Sequence, residues 1–296
     1  MGHHTVQNLA KVRNMLKSLT IEKDGVDGSK IYIYGEGWKF GSLDAIMPDK
    51  ACTQVNSYGI GVGTFNDRIR DSIRGGSPFS DLPAQGFING LYYDFNKSPF
   101  NHEIPDNLEQ QKNILLNLTE NIMIGMTGNL RDYQFKFGNK LVKGSQILYR
   151  GSPFAGYTAS PEECINYVSV HDNQTLWDLI QAKAPFNTPG REPQTATLYE
   201  RVRMQNLAIS IIGLSQGIPL FHAGVEILRS KSGDCDSYNS GDWFNKIDFT
   251  YKTNGWGKGL PIAEKNRWAW DFWKPRLADT SRSEERRVGK ECRSRW

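Results

Sequence analysis

Glu36 is the first residue of this chain whose setting suits chemistry. In Ile31-Tyr32-Ile33-Tyr34-Gly35-Glu36-Gly37-Trp38 an apolar, β-prone run ends in a carboxylate held between two glycines, with a flat indole beside it. The residue types suit a strand buried on both faces, and the glycines allow tight backbone geometry around the acid. A surface turn with a merely solvated Glu has the same local sequence, so the decision rests on companions. The strongest are His171-Asp172-Asn173, which follow the apolar run Ile165-Asn166-Tyr167-Val168-Ser169-Val170. A lone histidine at a strand end is ordinarily structural. A His-Asp-Asn cluster is harder to explain that way, because it combines a group that titrates near neutrality with a carboxylate and an amide.

Other polar stretches carry weaker signals. Gly59-Ile60-Gly61-Val62-Gly63 has the wrong spacing for a dinucleotide cradle. It reads as the approach to a short strand ending near Phe65, with Asn66 and Asp67 at its mouth. Arg68, Arg70 and Arg74 alternate with Ile69 and Ile73 as a helix with a basic, solvated outer face. The segment from Arg229 to Trp243 holds Asp234, Asp236, Asp242 and Asn239. Calcium is conceivable there, but no EF-hand spacing is present and a solvated loop is the default; no metal ligand and no cofactor is assigned. Of the cysteines, Cys52, Cys164 and Cys235 are too widely spaced for a zinc knuckle or a disulfide framework.

Elements able to position these groups alternate along the chain. Val6, Leu9, Val12, Leu16 and Leu19 mark a helix by their spacing, and a turn-rich link from Asp24 to Lys30 leads into the first strand. Short buried strands are expected near residues 31, 60, 165 and 217, the last in Gly217-Ile218-Pro219-Leu220-Phe221-His222. Helices are expected over 106–130, 174–184 and 196–215, and long irregular loops over 75–105 and on to Pro161. Helix, short loop and buried strand in repetition give an α/β fold with polar groups at the strand ends, the arrangement of a TIM-type barrel. Four strands are half of one.

The totals exclude little else. A chain of 296 residues can bury a substantial core. Its aromatic content suits sugar stacking without proving it. No run reaches the ~18 apolar residues of a membrane span, and no nucleic-acid or membrane partner is called for. The net charge of +4 is concentrated at one end, where residues 282–296 hold six basic and three acidic side chains. That tail, Arg-Ser-Glu-Glu-Arg-Arg-Val-Gly-Lys-Glu-Cys-Arg-Ser-Arg-Trp, resembles the conceptual translation of a short-read sequencing adapter. We prefer that reading to a nucleic-acid-binding arm. The expected organisation is a partial barrel over 1–275, a junction over 276–281 and an artefactual tail over 282–296.

Four motifs in order carry a family resemblance: Tyr34-Gly35-Glu36-Gly37-Trp38, Gly63-Thr64-Phe65-Asn66-Asp67-Arg68, Tyr167-Val168-Ser169-Val170-His171-Asp172-Asn173 and Asn239-Ser240-Gly241-Asp242-Trp243-Phe244-Asn245. Together they resemble the type I pullulanase and limit-dextrinase branch of the α-amylase superfamily, over residues 1 to about 275. The resemblance implies the C-terminal half of a TIM (β/α)8 barrel, incomplete, with long irregular loops. It also implies retaining hydrolysis of α-1,6 branch linkages in pullulan, amylopectin or limit dextrins, with branched α-glucan as the partner. By it Glu36 is the general acid/base, Asp172 the carboxylate that stabilises the transition state, and His171 a ligand to sugar hydroxyls. Trp38, Asn173, His3 and Asn66 are further substrate-binding candidates. An apolar neighbour such as Trp38 would favour the protonated acid that a glycosidic oxygen needs. The family's nucleophilic Asp lies in a Phe-Asp-Leu-Met-Gly-His-His stretch, and Met1-Gly2-His3-His4 matches only its end. The nucleophile is therefore expected two residues ahead of Met1, and the chain alone is expected to be inactive. The other reading is a non-catalytic glucan-binding fragment, in which Glu36, His171 and Asp172 would be dispersed. Localisation stays open.

Overall fold

The computed structural model describes residues 1–279; the expected tail, 282–296, lies outside the described residues. The helix Trp270–Leu277 runs across residue 276, so regular structure extends past the boundary set at 275. Contacts divide the chain into two interleaved units. One comprises Met1–Ile69, Glu120–Asn166 and Leu214–Leu220, and the other Arg70–Thr119, Tyr167–Gly213 and the chain from Phe221 onward.

The first unit is built on four parallel strands that pair in chain order: β1 (Tyr34–Gly35), β2 (Gly63–Phe65), β3 (Cys164–Asn166) and β4 (Ile218–Pro219). Tyr34 sits opposite Gly63, Thr64 opposite Cys164, and Ile165 opposite Ile218. The sheet is open. β1 and β4 each have one paired neighbour, and the central strands carry the burial: Val62, Thr64, Cys164 and Ile165 are inaccessible, whereas Tyr34 is 54% and Ile218 39% exposed. The expectation of strands buried on both faces therefore fails at both edges. Apolar alternation reports β character but not whether a neighbouring strand is present to cover it.

The helix Val6–Lys17 opens this unit, with Thr5 as N-cap accepting from the Asn8 N–H, and has no buried residue. In the same unit, the end of the helix Leu108–Met126 packs so closely on Ile69 that a Cβ at Gly125 would lie 2.9 Å from it. A hairpin of Gln134–Phe137 and Lys140–Lys143 stands where an irregular loop is expected. Its Phe135 and Val142 pack on Ile124, Ile147 and Ala155. The two-residue Gly138-Asn139 connection, with Gly138 at φ +58°, is the turn signal that marks it.

The second unit is rich in helix. Leu176–Lys183 is buried along its whole length, capped by Thr175, and is accompanied by Leu198–Gly213 and Trp270–Leu277. Trp273 and Phe272 meet edge to face, with Trp256 against the first and Phe100 against the second. The long stretch over 75–105 has no regular structure, yet buried amides order it. Asn89 donates to the Arg74 carbonyl and accepts from the Gly86 N–H, Gln85 donates to the carbonyls of Asn89 and Asp94, and Asn96 donates to those of Ala182 and Ala184. Such bonds replace the ladder that a loop lacks.

The basic face expected at Arg68, Arg70 and Arg74 is not solvated: all three are buried. In the first unit Arg68 lies over the rings of Tyr149 and Tyr157 and pairs with Asp67. In the second, Arg70 bonds Asp71 and the Tyr167 hydroxyl, and Arg74 donates to the Val168 carbonyl. Guanidinium groups tolerate burial when aromatic faces and acceptors surround them, and helical spacing alone cannot reveal that.

Candidate active site

Glu36 follows β1 by one residue, half-buried, in a turn closed by the Trp38 N–H donating to the Glu36 carbonyl at 2.7 Å. Gly37 is buried against the chain behind it: a Cβ there would lie 2.8 Å from both the backbone nitrogen and Cγ of Gln54. The Gln54 N–H donates to the Gly37 carbonyl at 2.9 Å. Its side-chain amide donates to the Phe65 carbonyl at 2.6 Å and to Asp67 at 3.0 Å, and its oxygen accepts from Arg68. The turn that carries the acid is thereby tied to the end of β2. Trp38 is half-buried next to it.

Two other predicted residues of this unit fare differently. His3 is exposed, and its Nδ1 accepts from the Ser42 N–H at 3.2 Å and lies 3.0 Å from the Ser42 hydroxyl. Asn66 is fully buried. Its Nδ2 donates to Asn166 at 2.8 Å, and its oxygen accepts from Asn129 and from the Ile69 N–H. We correct its assignment from a sugar contact to a strap between the ends of β2 and β3. An Asn at a strand mouth gives no sequence signal separating those two jobs.

In the second unit His171 and Asp172 are exposed side by side, Nδ1 to Oδ1 3.2 Å, and Asn173 beside them takes φ +60°. Both line a cleft of about 240 Å³ together with His222, Arg229, Lys231 and Asp236. Buried side chains brace its lining residues. Asp178, on the first turn of Leu176–Lys183, accepts from the Ser230 hydroxyl and from the Lys231 N–H at 2.9 Å. Lys231, 1% exposed, sends its ammonium to the His171 carbonyl at 3.0 Å and to the Ser237 hydroxyl at 2.9 Å. Burial pushes the Asp178 carboxyl up and the Lys231 amine down, each toward its neutral form. Burial, then the Arg229, Lys231 and His171 charges, holds His222 down to about 4. A second imidazole and two cations thus stand beside the predicted pair, none of them singled out from sequence. One signal was there: His222 follows β4 by three residues, as His171 follows β3 by five.

Glu36 belongs to the first unit and the His171–Asp172 pair to the second. Among the described residues no three His, Cys, Asp or Glu side chains are grouped as metal ligands, and no helix is long and apolar enough to cross a membrane. In the Arg229 to Trp243 segment, Asp234 is buried and accepts from the Asp236 N–H, Ser240 and Asn266. Cys52, Cys164 and Cys235 are free thiols.

No family model matches the chain. Chloroplastic pullulanase 1 of Arabidopsis thaliana is 46% identical over 282 residues, which are 95% of this chain and 28% of that protein. The pullulanase of Klebsiella pneumoniae is 39% identical over 262 residues, 88% of this chain and 22% of its own. Among solved structures, the maltotriose complex of PulA from Klebsiella pneumoniae superposes with a TM-score of 0.77 at 35% identity, covering 94% of this chain and 27% of that one. The chain spans 22–28% of the length of these relatives. Fold and matches define a class, the glycoside hydrolases. Within it, the chain belongs to the pullulanases.

Proposed function

We propose that this chain supplies the proton donor and the charge-stabilising carboxylate of a retaining site that hydrolyses α-1,6 branch linkages in pullulan, amylopectin or limit dextrins, on the C-terminal half of a TIM-type barrel. One observation carries the reading. Four parallel strands in chain order share one edge for their C-terminal ends, and the chain leaves β1 directly into Glu36 and β3 within six residues into Asp172, in a segment 46% identical to a plant pullulanase. Barrel enzymes draw their reacting groups from such ends. Glu36 protonates the departing glycosidic oxygen and later takes a proton from water. Asp172, ionised, bonds sugar hydroxyls more strongly as positive charge grows on the ring. His171 bonds hydroxyls beside the cleavage point. Trp38, Asn173 and His3 are proposed as further sugar contacts. The nucleophilic carboxylate of a retaining mechanism is not among the residues the resemblance assigns here, so the chain by itself is expected to leave pullulan intact.

A chimera tests this. The chain replaces the matched 282-residue segment of the Arabidopsis pullulanase, and release of reducing sugar from pullulan is measured. The chimera is expected to be active and to lose about 10²- to 10⁴-fold on Glu36→Gln, the usual worth of a positioned acid, and about 10²- to 10³-fold on Asp172→Asn. An active chimera indifferent to Glu36→Gln refutes the assignment.

A further inference from the structure

His222 holds a chemical identity that its sequence position does not announce. Arg229 folds back over the turn that follows β4. Its Nη1 donates to the Ala223 carbonyl at 3.0 Å and stands 3.0 Å from His222 Nε2, while Nη2 donates to the Asn245 carbonyl at 2.8 Å. Gly224 makes that path possible: its φ is +87°, and a Cβ would press on Arg229 Cβ at 3.1 Å and Cδ at 3.0 Å. A guanidinium offers donors only and keeps its charge. At 3.0 Å, Nε2 must therefore be the accepting nitrogen, and the ring proton sits on Nδ1. Among the described residues no protein group accepts from Nδ1, and the ring borders the cleft that holds His171 and Asp172.

We propose that His222 is a further substrate-contacting residue: a neutral imidazole, its tautomer locked by Arg229, that presents an Nδ1–H donor to a glucan hydroxyl beside Asp172. The ligand side of this rests on the pullulanase reading of the cleft. The charged groups bordering it explain why the donor persists. Arg229, Lys231 and His171 oppose protonation, Asp172 and Asp236 are the acids on the same cleft, and the ring is held neutral down to about pH 4. Protonating it would also cost Arg229 its acceptor. His171 differs in partner: its Nδ1 faces the Asp172 carboxylate at 3.2 Å, so its donor nitrogen is engaged by protein, whereas that of His222 is left for a ligand.

Two measurements on the full chain test the idea. Long-range ¹H–¹⁵N spectra of the imidazoles are expected to show His222 as the Nδ1–H tautomer without titration from pH 5.5 to 8. Arg229→Gln is expected to mix the tautomers and return the titration toward the ordinary value. An Nε2–H tautomer, or ordinary titration in the unaltered chain, overturns the lock. Calorimetric titration with maltotriose is the second. His222→Phe is expected to weaken binding about tenfold, the worth of one well-placed hydrogen bond. His222→Asn, whose Nδ2 falls near the imidazole Nδ1, is expected to recover most of that loss. Binding unchanged in His222→Phe overturns the contact while leaving the glucan reading intact. Absence of maltotriose binding to the unaltered chain defeats the glucan reading, whatever the imidazole spectrum shows.

Discussion

Lys183 ends the helix that follows His171 and Asp172, and it is an ammonium in the wrong place. It is 2% exposed, its Nζ bonds the Ala84 carbonyl at 2.7 Å, and Arg74 is a like charge close by. Burial, then Arg74, lowers its pKa from 10.5 to about 7. Between those two values the unfolded chain holds a proton that the folded chain has released, so raising the pH favours the fold. The slope approaches about 1.4 kcal/mol per pH unit for one proton. From pH 7 to 9 the gain integrates to about 2 kcal/mol, because at pH 7 the folded amine is only half neutral. Below about pH 6, where both states hold the proton, the penalty is constant. Lys183→Met keeps the length of the side chain and removes the titration. It also leaves the Ala84 carbonyl without its partner, an offset of about 1–3 kcal/mol that does not depend on pH. Urea unfolding followed by tryptophan emission at pH 7, 8 and 9 gives the comparison, and the difference between the two proteins is the quantity to read. Other groups, such as the buried Cys164 thiol pushed up to about 12, contribute equally to both and cancel. The stability gap is expected to move by about 2 kcal/mol in favour of the lysine protein across that range. Parallel pH profiles would refute the buried-amine account.

Two further substitutions probe the first unit. Gly37→Ala places a Cβ 2.8 Å from the Gln54 backbone nitrogen and is expected to cost about 1–3 kcal/mol in urea unfolding by forcing the Glu36 turn off the chain behind it; an unchanged midpoint would contradict the close approach. Asn66→Ala strips partners from Asn166, Asn129 and the Ile69 N–H and is expected to lower stability by about 2–4 kcal/mol without altering maltotriose affinity in the folded protein. The reverse pattern, with affinity lost and stability kept, would restore Asn66 to the substrate.

The sequence revealed the repeat better than its surroundings. Apolar runs and helical spacing located all four strands to within about three residues, and the helices with them, because both signals are local. What they could not show was cover. Tyr34 and Ile218 read as core residues, yet each lies on an edge strand of an open sheet. Arg68 reads as surface, but its burial depends on Tyr149 and Tyr157, far away in sequence. The same limit governs the candidate site. Glu36, His171 and Asp172 were legible as acids and bases at strand ends, whereas Asp178, Lys231 and the Arg229–His222 pair owe their roles to contacts made across long stretches of chain.

Those long-range contacts follow from how short the strands are. β1 and β4 have two residues each, and β2 and β3 three, so ladder bonds alone cannot fix the loops that carry the acids. Side chains supply what the ladder omits. In the first unit Gln54 and Arg68 tie the Glu36 turn to the end of β2. In the second, Asp178 accepts from the Ser230 hydroxyl and the Lys231 N–H, and the Lys231 ammonium returns to the His171 carbonyl. Each clamp is buried, and polar groups removed from water impose costs unless every partner is in place. Short strands set the direction of the acids, and these networks set their position. A change to a clamp should therefore reach the geometry of the acids without touching either one.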